Sequence, residues 1–182
     1  IWIVLDLERS VHVGDGDDSS EEIAVSICAS IARYFIAANR SVGLISFGEK
    51  LSVEEPDRGQ NHYTRILESL THARAFGNVT LSALLLEESR RFGRHTTVVV
   101  VTPSTDKSWA LTLMTLSARS IPVAAVLLEA ETFGTAPSSL DVYEVLSSSD
   151  VYTYNVKQHA DIVRALSGGN AMAVAGSMRG TR

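Results

Sequence analysis

Asp6, Glu8 and Ser10 alternate directly after an apolar run, Ile1–Leu5. Alternation at a strand end lets three oxygen side chains converge on one point. Hard oxygen donors gathered in this way suit Mg²⁺, Mn²⁺ or Ca²⁺. The same residues have a plainer use, in which Asp6 and Ser10 accept backbone N–H groups of a loop and Arg9 pairs with a carboxylate. The other groups that resemble chemical motifs fall short of them. Gly14-Asp15-Gly16-Asp17-Asp18 is glycine-containing, but its carboxylates repel phosphate, and it lacks the glycine position and bidentate Glu of an EF-hand loop. Gly43–Gly48 contains Ser46 one residue out of register with G-x-S-x-G, and a turn rather than a helix is expected after it. The five histidines, at positions 12, 62, 72, 95 and 159, have no helical metal spacing and are expected as surface or capping residues. Cys28 lies among Ala24, Ala29 and Ala32 and is expected as a buried thiol.

The elements that must carry these residues follow from periodicity. Ile1–Leu5 has the continuous apolar character of a strand buried on both faces. Ser19, three residues before Glu22, signals a helix start. The rows Ile23, Ile27, Ile31, Phe35 and Ala24, Cys28, Ala32, Ile36 then give that helix a wide apolar face. Val42–Phe47 reads as a second strand, Gly48-Glu49-Lys50 as a tight turn, and Leu51–Glu54 as a short antiparallel edge strand. Pro56-Asp57-Arg58-Gly59 reads as a turn. Helices are expected around Tyr63–Leu70, Leu81–Phe92 (with Thr80 as its cap), Trp109–Ala118 and Leu140–Leu146, and from His159 to Leu166. Trp109 and Met114 read as core or interface residues. Strands are expected at Thr96–Val101, Val123–Leu128 and Val151–Val156, and Ala130–Ser138 reads as a loop.

This alternation predicts an α/β domain over residues 1–167, with an open, mostly parallel sheet of about six strands and helices on both faces. A flexible tail is expected over 168–182. In such sheets ligands bind beyond the carboxyl ends of the strands, where strand order reverses. The loop after Leu5, the region of Thr80 and the loop after Val101 therefore carry the candidate site. Its partner-binding residues are expected to be Asp6, Glu8, Ser10, Thr80, Thr102 and Ser104.

Three of these places resemble the metal site of the von Willebrand factor A fold. That site is built from Asp-x-Ser-x-Ser after the first strand, a Thr before the third helix and an Asp after the fourth strand. Asp6-Leu7-Glu8-Arg9-Ser10 is similar to the first element with Glu8 replacing a Ser, and Thr80 stands where the Thr belongs. Val101-Thr102-Pro103-Ser104 offers no Asp for the third. Val42–Gly48, and Pro56–Gly59 followed by the Tyr63–Leu70 helix, resemble more closely the bacterial family called domain of unknown function 58, which contains a von Willebrand A-like domain. The likeness runs from about Ile1 to Leu128. It implies a non-enzymatic protein–protein interaction module with a degenerate metal site, in a protein anchored to the membrane by other regions and facing the cytoplasm. It also implies a MoxR-type AAA+ ATPase as partner. Two alternatives stay open at this point. In one, Asp6, Glu8, Ser10 and Thr80 hold Mg²⁺ or Mn²⁺ for adhesion-type binding. In the other, carboxylates at the same edge serve a hydrolase.

Composition excludes several other classes. With 16 Lys and Arg against 21 Asp and Glu among 182 residues, the net charge is −5, and no basic field is available for nucleic acid. The longest apolar runs fall far short of the roughly 18–20 residues of a membrane span. A single cysteine rules out an intramolecular disulfide. The chain opens on a strand without an initiator Met, which suggests a domain cut from a longer protein.

Overall fold

A computed structural model describes residues 1–167; the tail expected over 168–182 lies outside the described residues. Six strands form one sheet: β1 (Trp2–Leu5), β2 (Val42–Phe47), β3 (Leu51–Asp57), β4 (Val98–Thr102), β5 (Val123–Leu128) and β6 (Tyr152–Val156). Their order is β3-β2-β1-β4-β5-β6, and only the β2–β3 pair is antiparallel. Both faces are covered. Against one pack α1 (Ser20–Ala37), α2 (Gln60–Thr71) and α6 (Ile162–Ser167); against the other pack α3 (Leu81–Glu87), α4 (Lys107–Ala118) and α5 (Leu140–Ser147). The expected open α/β sheet with one antiparallel edge is thus the observed one.

The two-residue period of β1 and β4 divides the core between the faces. Ile3, Leu5, Val99 and Val101 meet Ile27, Cys28 and Ile31 of α1 and Ile66 and Leu70 of α2. Trp2, Val4, Val98 and Val100 meet Leu81 and Leu85 of α3, Trp109 and Leu113 of α4 and Leu146 of α5. Cys28 is fully buried, and burial pushes its thiol pKa up, as befits a packing residue. Ser19 caps α1, its hydroxyl accepting from the Glu22 N–H.

Several expectations need correction. The segment Pro56-Asp57 is strand rather than turn, because β3 continues to Asp57, opposite Val42. The register shifts between Val42 and Leu44, and such a bulge on an edge strand tolerates a proline that has no N–H to give. The third helix stops being α-helical at Glu87 and tightens into a 3₁₀ turn over Glu88–Arg91. The expected loop after β5 holds a 3₁₀ turn at Ala130–Thr132. His159 precedes α6 rather than joining it, with φ at 60° in the left-handed region.

Candidate functional site

The strand order reverses at β1, whose neighbours β2 and β4 lead away in opposite directions. The crevice expected of such a sheet lies at the carboxyl ends of β1 and β4. Leu5 is in register with Val101, so Asp6 and Thr102 follow side by side on adjacent parallel strands. The Asp6 N–H continues the ladder by donating to Val101 O at 3.0 Å.

Asp6 is only 2% exposed, and protein donors meet both of its carboxylate oxygens. Thr102 Oγ1 donates to Oδ2 at 2.6 Å, and the Glu8 N–H donates to Oδ1 at 3.1 Å. Thr102 Oγ1 in turn accepts the Ser104 N–H at 2.9 Å. Ser104 Oγ accepts the Asp106 N–H at 3.3 Å, and Ser104 O accepts from Trp109 Nε1 at 3.1 Å. A continuous chain of hydrogen bonds therefore ties β1 through β4 to the start of α4. Burial pushes the Asp6 pKa up to about 6, against the opposing pull of the Thr102 and Glu8 hydrogen bonds.

Asp6, Thr102 and Ser104 are thus brought together. Glu8 and Ser10 are occupied with each other, Ser10 Oγ donating to Glu8 Oε1 at 2.5 Å. Thr80 is exposed and caps α3, its hydroxyl accepting the Ala83 N–H at 3.3 Å. Each side chain of the proposed ion site already makes a hydrogen bond within the fold. The only buried carboxylate among them, Asp6, is the one whose charged form burial disfavours. A divalent cation wants several oxygens, with enough negative charge to offset its dehydration. These residues, arranged in this way, do not fit that requirement. Among the described residues, no three His, Cys, Asp or Glu side chains gather as a metal-holding group.

Two residues that sequence reasoning passed over complete the edge. His12 is not a surface residue. Its Nε2–H donates to Asp6 O at 2.9 Å, and Nδ1 lies 3.1 Å from Ser20 Oγ, which also accepts the Val13 N–H. Burial holds the His12 imidazole below its ordinary pKa, in keeping with a neutral ring that staples the loop to α1. Gly77 is the second. Its N–H donates to Leu7 O and its O accepts the Arg9 N–H, each at 2.9 Å. A Cβ there would collide with Phe47 O and stand 2.7 Å from Leu7 O. The backbone of the α2–α3 loop thus lies directly against the segment after β1. His62, expected as a surface or capping residue, is buried with Nε2 2.5 Å from Val42 O, at the opposite end of the sheet. A glycine in a loop and a histidine eight residues before its helical partner Ser20 carry no spacing signal, so only the packed backbone shows their roles.

The fold is shared with several solved proteins. BatB, a conserved hypothetical protein of Bacteroides thetaiotaomicron, matches with a TM-score of 0.65 at 12% identity over 96% of both chains. An aerotolerance-related membrane protein of Bacteroides fragilis matches with a TM-score of 0.65 at 15% identity, over 91% of this chain and 96% of that one. The pilus adhesin SpaC of Lactobacillus rhamnosus GG, in an open conformation, matches with a TM-score of 0.59 at 12% identity, over 92% of this chain but only 28% of the adhesin. At these identities the likeness is one of fold, here a von Willebrand A-like fold. No curated protein sequence matches the chain closely enough to be a relative. No described helix is long and apolar enough to cross a membrane. The model of the family described as protein of unknown function DUF58 matches residues 1–137, three quarters of the chain, and the chain belongs to that family.

Proposed function

We propose that this domain is a non-enzymatic, metal-independent protein-interaction module that docks its partner at the carboxyl edge of the sheet. The observation that carries this reading is the closed hydrogen-bond chain Asp6–Thr102–Ser104, in which a protein hydroxyl engages the carboxylate that an ion would otherwise need. Thr102 does by hydrogen bonding what a metal would do by coordination. It holds the ends of β1 and β4 together and fixes the loops above them. Those loops present Glu8, Ser10 and Thr80 to the outside, while Asp6, Thr102 and Ser104 form the floor.

A hydrolase at this edge would need an acid and a base facing one cleft. Asp6 is committed to two donors and buried, and Glu8 holds Ser10, which leaves that reading without its pair. The partner is a MoxR-type AAA+ ATPase, met on the cytoplasmic face of a membrane to which regions outside this chain anchor the protein. The support for an interaction role is the family and the fold shared with a pilus adhesin and with an aerotolerance-related membrane protein.

Calorimetric titration of the domain with a purified MoxR-type ATPase from the same bacterium, in chelator and again in Mg²⁺, tests the reading. Equal affinity in both, lost in Glu8→Lys, is the expected result. Affinity that vanishes in chelator at constant nucleotide state favours the ion-dependent alternative, and absence of binding removes this ATPase as partner.

A further inference from the structure

The paired segments Leu7–Arg9 and Ala73–Gly77 form a ridge across the carboxyl edge, with a cleft on each side. Alternate loop residues line the two: Arg74 and Phe76 face one cleft, and Ala75 faces the other. The first, about 450 Å³, has an apolar wall of Leu7, Ala73 and Phe76, the last 56% exposed. Ser46, at the carboxyl end of β2, lines the same cleft. It is 6% exposed, yet its hydroxyl makes no hydrogen bond to any described residue. A hydroxyl so placed is satisfied from the cleft side, by solvent or by a ligand. The charged residues around this cleft, Glu49 and Glu68 against Lys50 and Arg74, balance.

The second cleft, about 360 Å³, does not balance. Asp15, Asp17, Glu21 and Glu22 line it against one guanidinium, Arg9. None of the four carboxylates makes an ion pair or side-chain hydrogen bond with a described residue. One cleft thus offers apolar surface with a hydroxyl that opens onto it and has no partner among the described residues, and its neighbour across the ridge offers net negative charge. A ligand that answers both is an extended peptide that crosses Phe76.

Building on the docking reading above, we infer that the ridge binds a linear segment of the partner protein through two anchors. An apolar side chain enters the Leu7–Ala73–Phe76 cleft, where a main-chain polar group of the segment pairs with Ser46. A Lys or Arg side chain enters the Asp15–Glu22 cleft. Charge complementarity fixes the second anchor and sets the direction of the segment across the ridge.

Selection from a displayed library of random linear peptides against the full chain tests this. The wild type should enrich peptides that place an apolar residue a few positions from Lys or Arg. Ser46→Val should weaken the enriched peptides about tenfold or more, and Phe76→Ala, at an exposed side chain, should do the same without risk to the fold. Asp17→Lys combined with Glu21→Lys should reverse the charge preference. No enrichment, or enriched peptides indifferent to Phe76→Ala and to the charge reversal, overturns the two-anchor inference. If such indifferent peptides nonetheless fail on Glu8→Lys, docking at the edge stands and only the two clefts are withdrawn. Failure of the edge itself is read separately, from the ATPase titration.

Discussion

Asp6 and Asp17 leave the same strand within one loop excursion, and their fates are opposite. Asp6 is buried, has both oxygens hydrogen-bonded, and holds its proton up to about pH 6. Asp17 is exposed, lines an open cleft, and its carboxylate makes no bond to a described residue. The carboxylate that looks catalytic or metal-binding by its spacing is therefore an architectural one. The carboxylates that look like solvated loop are the ones free to meet a partner. A buried polar group must be satisfied within the fold, and once satisfied it has little left to offer a ligand. An exposed, unpaired charge keeps its full capacity to steer and to bind.

This contrast is open to attack at both ends. The largest effect is expected from Asp6→Ala, which strands the Thr102 hydroxyl and the Glu8 N–H in a dry site. The loss should be about 3 kcal/mol, or roughly 6–12 °C in Tm for a domain of this size, by thermal unfolding. A loss below about 1 kcal/mol would mean that the cluster does not hold β1 to β4.

Next in size is a pH effect that isolates the buried proton. Asp6 binds its proton more tightly in the folded chain, at about 6, than at its ordinary value of 3.8. The stability it contributes is therefore fully present below the lower value and is lost as pH rises through the higher one. Asp6→Asn cannot titrate. Wild-type stability minus that of Asp6→Asn should fall by about 2–3 kcal/mol between about pH 4 and pH 7, by denaturant unfolding. A flat difference would place the carboxylate in contact with water.

Smaller again is Thr80→Ala. If Thr80 only caps α3, its loss costs about 1 kcal/mol and leaves ATPase affinity within about threefold in chelator. A larger fall in affinity would make Thr80 a direct contact. The smallest effect on the fold is expected from Asp17→Lys. Stability should stay within about 0.5 kcal/mol of wild type, because nothing in the described fold leans on that side chain. A clear destabilisation would move Asp17 from the docking side of the comparison to the architectural side.

The sheet was legible because its central strands read as short apolar runs, β-branched throughout in Val98–Val101, whose register with β1 brings Asp6 to Thr102. The capping roles of Ser19 and Thr80 were legible for the same local reason, since a cap needs only its own first turn. What the letters did not disclose depends on contacts distant in sequence. Pro56 reads as a turn until the bulge opposite Val42 makes room for it in β3. His12 and Gly77 act through backbone groups brought close by other elements, and no spacing rule encodes such a partner. Ser46 belongs to an apparent failed motif, and its relevance emerges only when the cleft above it is in view.

The most direct test of metal-independence is thermal unfolding of the domain in chelator, in Mg²⁺ and in Mn²⁺. A cation that binds only the folded state raises stability by about 2.7 kcal/mol at a hundredfold excess over its Kd. With the Asp6 oxygens taken by Thr102 and Glu8, the three curves should coincide. An upward shift in Mg²⁺ or Mn²⁺ that disappears in Asp6→Asn would contradict the account and return Asp6, Glu8, Ser10 and Thr80 to the role of ion ligands.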